Sequence, residues 1–328
     1  ALPSCLELTL VQQPSNPLLE LKVPLGFGFM NASWGGASTL QAGLAREEFK
    51  RALQHAMDAG VTLFDTADIY APTWDSFGHN EVLLREAIEG WNGSTTAKAN
   101  LIVATKGGIT RAAGEAWSKD ASYGYLMQAV ETSAARLGLS EIPLWQHHRL
   151  DFHLTLSEQL ANLKKLNETA PIRHIGVSNY SAAQLRQALD TIGGPSEGGI
   201  ISVQNQLNPV YRQQLDVLEV CEEFGLAYLP WSPMKGIRLT DAGTATYEKF
   251  ASVAKAAGTS TFAVAQAWLR SLSPNIVPLP GVTKLASIAD AIGASGLRLN
   301  GEQLAALANL PETQPLDEEL VRDQPLAE

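Results

Sequence analysis

Short apolar runs that break into polar residues at their C-terminal ends recur along the chain, separated by stretches of helical periodicity. The clearest is 61–67, where Val61, Leu63 and Phe64 give way to Asp65, Thr66, Asp68 and then Tyr70. The same change of character ends 101–106 at Lys106, 142–148 at His147 and His148, 172–178 at Ser178 and Asn179, and 200–205 at Gln204 and Asn205. Runs at 23–30, 226–231 and 276–279 bring the number of strands to eight. Near-continuous apolar runs are what strands buried on both faces look like. Between them, 46–59 places Phe49, Leu53, Ala56 and Met57 on one helical face and stops at Gly60. Further helices are expected at 79–90, 122–137, 157–168, 181–190, 213–224, 245–257, 261–271 and 284–292.

Eight strands, each followed by at least one helix, define an α/β chain of the (β/α)8 TIM-barrel type, whose sites lie at the C-terminal strand ends. The alternation at Leu6–Val11, followed by Pro14 and Pro17, predicts an N-terminal hairpin on the barrel floor. The segment 107–121, with three glycines, reads as a long loop above the site, and 71–78 as a second loop. An extra C-terminal helix is expected over 301–310. No linker divides the chain, so a single domain is expected over 1–328, with its core at about 20–310 and a tail at 311–328 that is either a surface strap or partly disordered.

Composition narrows the partners. A net charge of -10 and a pI near 5.2 argue against nucleic acid. No apolar run is long enough for a membrane helix. Cys5 and Cys221 make neither a disulfide framework nor a metal motif. The expected compartment is the cytoplasm, or an organelle stroma or matrix where a targeting peptide has been removed. Oligomeric state leaves no mark in the sequence.

Asp65, Tyr70, Lys106 and His148 would meet at the barrel mouth. An ammonium beside a tyrosine hydroxyl lowers the phenol pKa, and an aspartate holds that ammonium charged and oriented. A neighbouring histidine donates a hydrogen bond or relays a proton. Together they suit protonation of a carbonyl oxygen as charge develops there. Each has a structural alternative: Asp65 as a loop cap, Lys106 as its partner, Tyr70 as a rim aromatic, His148 as a core histidine. A metal-dependent hydrolase built on His147, His148, His153 and His174 lacks a carboxylate–histidine ligand pattern, so no metal is expected.

The stretch Gly60-Val-Thr-Leu-Phe-Asp-Thr-Ala-Asp-Ile-Tyr70, with Asn80-Glu81 and Leu83-Leu84, resembles the aldo-keto reductase signature. The resemblance continues through Lys106, Arg136-Leu-Gly138, Gln-His-His-Arg-Leu-Asp151, Ile172–Asn179, Val203–Gln206 and Trp231-Ser-Pro233. It implies reduction of a small-molecule aldehyde or ketone with NADPH, catalysed by Asp65, Tyr70, Lys106 and His148. Alignment of His-Arg-Leu-Asp with the family's His-x-x-Asp selects His148 over His147. A non-catalytic, NADP-binding regulatory subunit of the same fold is the alternative.

The resemblance further implies that Asp65, Ser178, Asn179 and Gln204 surround the nicotinamide, with Trp231 stacked on its ring. Ser232, Pro233, Met234, Lys235 and Gly236 would flank the pyrophosphate. Pro280, Gly281, Thr283, Lys284, Ser287 and Asp290 would lie along the adenosine. Gly26-Phe-Gly28 is not a dinucleotide fingerprint, because the third glycine and the acidic ribose partner are missing. It is read instead as a strand end, with Phe29, Met30 and Asn31 facing the site and Gly28, Phe29 and Met30 expected against the cofactor. Substrate would be framed by Phe29, Trp34, Tyr70, Trp74, Phe77 and His148. Relatives commonly carry threonine at Phe29, glycine at Ala71, arginine at Ser287 and asparagine at Ala291. The loss of the arginine leaves Lys284 as the cation for a 2′-phosphate and leaves NADH use open.

Overall fold

A computed structural model describes residues 16–33, 43–231, 241–281, 284–311 and 324–328 of the chain. Its strands are β1 (Gly26–Gly28), β2 (Leu63–Asp65), β3 (Ile102–Gly107), β4 (Ile109–Ala112), β5 (Ala116–Lys119), β6 (Leu144–His147), β7 (Ile175–Ser178), β8 (Ile200–Gln204) and β9 (Ala227–Tyr228). All but β4 and β5 form one parallel sheet, ordered β1-β2-β3-β6-β7-β8-β9. Segment 276–281 closes it into a barrel. The Val277 and Leu279 amides donate to the carbonyls of Tyr228 (2.9 Å) and Pro230 (3.3 Å). On the other side, the amides of Gly26 and Gly28 donate to Pro278 (2.9 Å) and Pro280 (3.1 Å). Those prolines have no N–H to return, so this eighth strand is joined by separate bridges rather than a full ladder.

The helices are α1 (Met30–Ser33), α2 (Gly43–Asp58), α3 (His79–Glu89), α4 (Thr95–Ala99), α5 (Tyr123–Leu137), α6 (Leu156–Thr169), α7 (Ala182–Ile192), α8 (Leu215–Phe224), α9 (Asp241–Ala257), α10 (Thr261–Leu272), α11 (Leu285–Gly293) and α12 (Gly301–Ala306). Reciprocal capping boxes, Thr155 with Glu158 and Ser181 with Gln184, start α6 and α7. Such caps satisfy amides that the first helical turn cannot bond internally.

Alternation along the strands sorts side chains between the barrel axis and the helix layer. Leu63, Ala104, Leu144, Ile201 and Leu279 fill the interior, and Leu18 packs into the same cluster. Phe64 and Val103 face α2 and α3, while Trp145, Ile175 and Val203 join the larger cluster with α5 to α8. Gly176 is required by closeness: a Cβ there would stand 2.4 Å from Ser202 Oγ. The apolar floor therefore ends at a polar layer, which is where the site begins.

One local expectation is corrected. Residues 107–121 are not an irregular loop, because β4 and β5 pair as an antiparallel hairpin with Ile109 opposite Lys119 and Ala112 opposite Ala116. The expected N-terminal hairpin, the pyrophosphate loop at 232–236 and most of the C-terminal tail lie outside the described residues. Of the last residues, Leu326 N–H donates to Leu154 O (2.9 Å), and Glu328 Oε1 accepts from the Ser157 amide (3.0 Å) at the start of α6. Among the described residues no helix is long and apolar enough to cross a membrane.

Candidate active site

Asp65, Lys106 and Gln146 leave adjacent strands on the inward side of the alternation, two residues beyond Leu63, Ala104 and Leu144. Lys106 Nζ donates to Asp65 Oδ2 (2.6 Å), Thr66 O (2.7 Å) and Tyr70 Oη (3.4 Å). An ammonium has three donors, so its whole capacity is used. The second Asp65 oxygen, Oδ1, accepts from Gln146 Nε2 (3.1 Å) and Gln204 Nε2 (2.9 Å). Charge that would be expensive to bury alone is thereby paired and hydrogen-bonded.

Tyr70 is the group through which this buried pair reaches the mouth. Its ring and that of His148 meet edge to face at 5.8 Å, and each residue keeps only 8% of its surface exposed. The two neighbouring histidines face opposite ways. His147 points to the helix layer, where its Nδ1 lies 2.8 Å from Tyr180 Oη, and His148 turns back toward Tyr70. His153 is engaged with Asp151 at 2.8 Å. Among the described residues, no three His, Cys, Asp or Glu side chains are grouped to hold a metal ion.

Burial pushes the Tyr70 hydroxyl above its ordinary pKa, and the opposing pull of Lys106 does not overcome it. This corrects the expectation of a lowered phenol, which weighed the cation without the desolvation. Burial also works against charge on Lys106, but Asp65, followed by Tyr70, outweighs it and holds the ammonium above its usual range. His148 is driven well below the usual histidine value by burial, then by Lys106 and Arg149. The neutral-pH state is thus a charged lysine, a protonated tyrosine and an uncharged imidazole. Such a set can give a proton to an oxygen that gathers negative charge.

Residues 24–312 match the Aldo/keto reductase family. The chain belongs to that family. It is 31% identical over 287 residues to an uncharacterised oxidoreductase of Schizosaccharomyces pombe, covering 86% of this chain and 85% of that protein. A 6-dehydroglucose reductase of Novosphingobium aromaticivorans is 30% identical over 292 residues, covering 86% of this chain and 91% of the relative. In fold, the chain resembles a Klebsiella pneumoniae aldo/keto reductase crystallised with NADP and acetate. That likeness has a TM-score of 0.69 and 23% identity, covering 90% of this chain and 93% of the other.

Ser178, Asn179 and Gln204, the residues expected to hold a nicotinamide, converge beside Asp65 and His148. Ser178 Oγ donates to Gln204 O (2.6 Å) and accepts from Asn179 Nδ2 (3.0 Å), which also reaches the His148 carbonyl (3.1 Å). Asn179 is left-handed at φ 63, a conformation asparagine tolerates better than most residues. Asn205 holds it there, its Oδ1 accepting the Asn179 amide at 2.7 Å. The Trp231 amide donates to Asn205 O (3.1 Å), and its backbone bridges Gln206 and Leu279 at the rim. Gly28 and Gly281 bridge across the barrel seam, Met30 is exposed, and Lys284, the residue that caps α11, and Ser287 in its first turn are both exposed. Asp290 instead ties α11 to the cap of α10 through Ser260 Oγ at 2.6 Å. Thr283 lies outside the described residues.

The substrate set divides. Tyr70 and His148 meet as described, and Phe77 packs on the cluster of Ala67, Ile69, Tyr70 and Ile109. Trp74 is exposed on the adjoining turn, and Trp34 lies outside the described residues. Phe29 is a correction: its ring turns outward into the helix layer, 5.7 Å from Phe49 and 6.0 Å from Phe64. The backbone coils into α1 immediately after it, which ends the strand alternation. Gln146 had no assigned role in the sequence, although its spacing of two from His148 was the available signal. Asn80 also gains a role, linking Phe29 O, Ser33 Oγ and Thr66 Oγ1 by three hydrogen bonds of 2.7–2.8 Å.

Proposed function

We propose that the chain is an NADPH-linked carbonyl reductase that converts an aldehyde or ketone to the alcohol, with Tyr70 as general acid. The observation carrying this reading is the Lys106 Nζ contact to Tyr70 Oη, made while Asp65 and Thr66 occupy the other two ammonium donors. A hydroxyl that accepts from an ammonium can direct its own proton to a third group. As that proton leaves, Lys106 steadies the growing phenolate, and Asp65 keeps Lys106 charged. Neutral His148 offers a ring N–H to the same oxygen.

The residues also fit the dinucleotide. Asn179 Oδ1 is shielded from solvent and makes no hydrogen bond, so it presents a carboxamide-sized acceptor beside Ser178. Ser178, Asn179 and Gln204 would hold the nicotinamide amide, Trp231 its ring and Lys284 the 2′-phosphate. When bound, NADPH supplies a hydride to the carbonyl carbon. The Klebsiella relative crystallised with NADP supports the choice of cofactor.

Purified protein should oxidise NADPH with a reactive aldehyde, with no added metal and in the presence of a chelator. Cofactor binding without turnover across aldehydes, ketones and quinones would favour the regulatory-subunit reading. Lys284→Ala should weaken NADPH about tenfold or more while sparing NADH, because a charge-assisted phosphate contact is worth about 1.5–3 kcal/mol. Equal losses for both cofactors would remove Lys284 from the 2′-phosphate site.

A further inference from the structure

The hairpin that replaces the expected loop is fastened to the residues following Tyr70 by a compact ion pair. Arg111, on β4, has a side chain only 5% exposed, unusual for arginine. Its Nη1 donates to Ala71 O (2.7 Å), its Nη2 to Pro72 O (3.1 Å) and its Nε to Glu115 Oε2 (2.5 Å). The guanidinium also lies 4.8 Å from the ring centre of Trp117 on β5. The remaining Glu115 oxygen, Oε1, accepts from the Trp74 amide at 3.0 Å. One ion pair therefore holds three main-chain groups of segment 71–74. At its base the hairpin packs Ile109 against Tyr70, and Tyr125 Oη donates to Ile109 O (3.2 Å).

The backbone supplies a second observation. Glu115 is left-handed at φ 62, next to Gly114 at φ 73. Among the described residues only Asn179 shares a positive φ without being glycine. Glycine is the residue such a position favours, so a glutamate there stores backbone strain. Its carboxylate offers what glycine lacks: a bridge between Arg111 and Trp74.

We propose that Arg111 and Glu115 are positioning residues that fix the outer wall of the carbonyl pocket and thereby set substrate size and shape. The pair pins Ala71–Trp74, the segment that directly follows Tyr70, to the hairpin, and leaves the indoles of Trp74 and Trp117 42% and 44% exposed on either side of the clamp. The class of substrate selected is a carbonyl compound carrying a flat apolar ring beyond the reacting group. This rests on the carbonyl-reductase reading.

Glu115→Gly is the informative change, because it relieves the backbone while deleting the carboxylate. With 2-naphthaldehyde, KM should rise about tenfold with little change in kcat, the loss expected of one charge-assisted contact. Propanal should change less than about twofold on the same scale. Glu115→Gln, which keeps an acceptor for the Trp74 amide, should recover part of the naphthaldehyde KM. Independently of turnover, amide hydrogen exchange at Trp74 should quicken about tenfold in Glu115→Gly, while barrel-strand amides stay unchanged. Equal effects on both aldehydes, or unchanged exchange at Trp74, would overturn the proposal. Faster exchange at Trp74 in a protein that reduces no carbonyl would support the clamp and sink the reductase reading instead.

Discussion

Two ion pairs with buried carboxylates lie back to back across β3. On its inner face Lys106 meets Asp65 at 2.6 Å; on its outer face Thr105 donates to Glu81 Oε1 at 2.6 Å, and Arg136 reaches Glu81 Oε2 at 3.4 Å. The inner pair is removed from water, whereas in the outer one Glu81 is buried and Arg136 keeps 24% of its side chain exposed; each lies near a further titratable side chain, Tyr70 inside and Asp68 outside. They differ in outlet. The inner pair touches a protonated phenol at the barrel mouth, while Glu81 is sealed between α3 and α5. The burial that pushes Tyr70 up keeps a proton where it can be donated; the burial that raises Glu81 and Asp68 only makes their charge costly. Buried charge therefore marks a reaction site only where it is coupled to a proton that substrate can reach.

The sharpest way to break this contrast is Tyr70→Phe. It should slow the chemical step about 10²–10⁴-fold with cofactor affinity retained, as expected for loss of a general acid. Single-turnover kinetics would show it, and a loss below about tenfold would hand the acid role to His148. On the outer face, Glu81→Ala should cost about 3 kcal/mol of stability by leaving Arg136 and Thr105 without their buried partner. Denaturant unfolding measures that loss, and turnover per folded molecule should stay near the parent value. A collapse of turnover at unchanged stability would place Glu81 in the reaction.

The neighbouring histidines repeat the contrast at smaller scale. His147→Ala leaves the Tyr180 hydroxyl without its partner and should cost about 2 kcal/mol of stability, with the chemical step intact. If it damages the chemistry more than His148→Ala does, the histidine register is wrong.

The smallest effect concerns pH. Burial, followed by the charge of Glu81, raises Asp68 well above the usual carboxylate range, and burial raises Glu81. Folded protein then keeps protons that the unfolded chain has released. Stability from these groups is full below the unfolded carboxylate values and is lost as pH rises through the raised folded ones. Asp68→Asn should therefore stabilise by about 1 kcal/mol at pH 8 and much less at pH 4, read as a shift in Tm. A larger gain at the acid end would reverse the assigned direction.

The eight strands and their helices were legible because buried parallel strands and amphipathic helices impose their periods on local sequence. That Asp65, Tyr70, Lys106 and His148 would meet was legible too, since each falls at or just beyond the end of an apolar run. The hairpin at β4–β5 was not. Its strands, Ile-Thr-Arg-Ala and Ala-Trp-Ser-Lys, are short and mixed, and their order comes from cross-strand pairing and from Arg111 fastening them to segment 71–74. Phe29 was misplaced because alternation fixes direction only while the strand lasts, and the chain coils directly after it.

The sequence by itself determined the layered barrel and which polar side chains stand at its strand ends, because both follow from contacts a few residues apart. Tertiary structure alone decided how those side chains behave. Whether Tyr70 is shifted down by its cation or up by burial depends on how far Lys106, Asp65 and surrounding apolar atoms exclude water. Desolvation is set by every group that closes over a site, and those groups come from strands and loops remote in the chain.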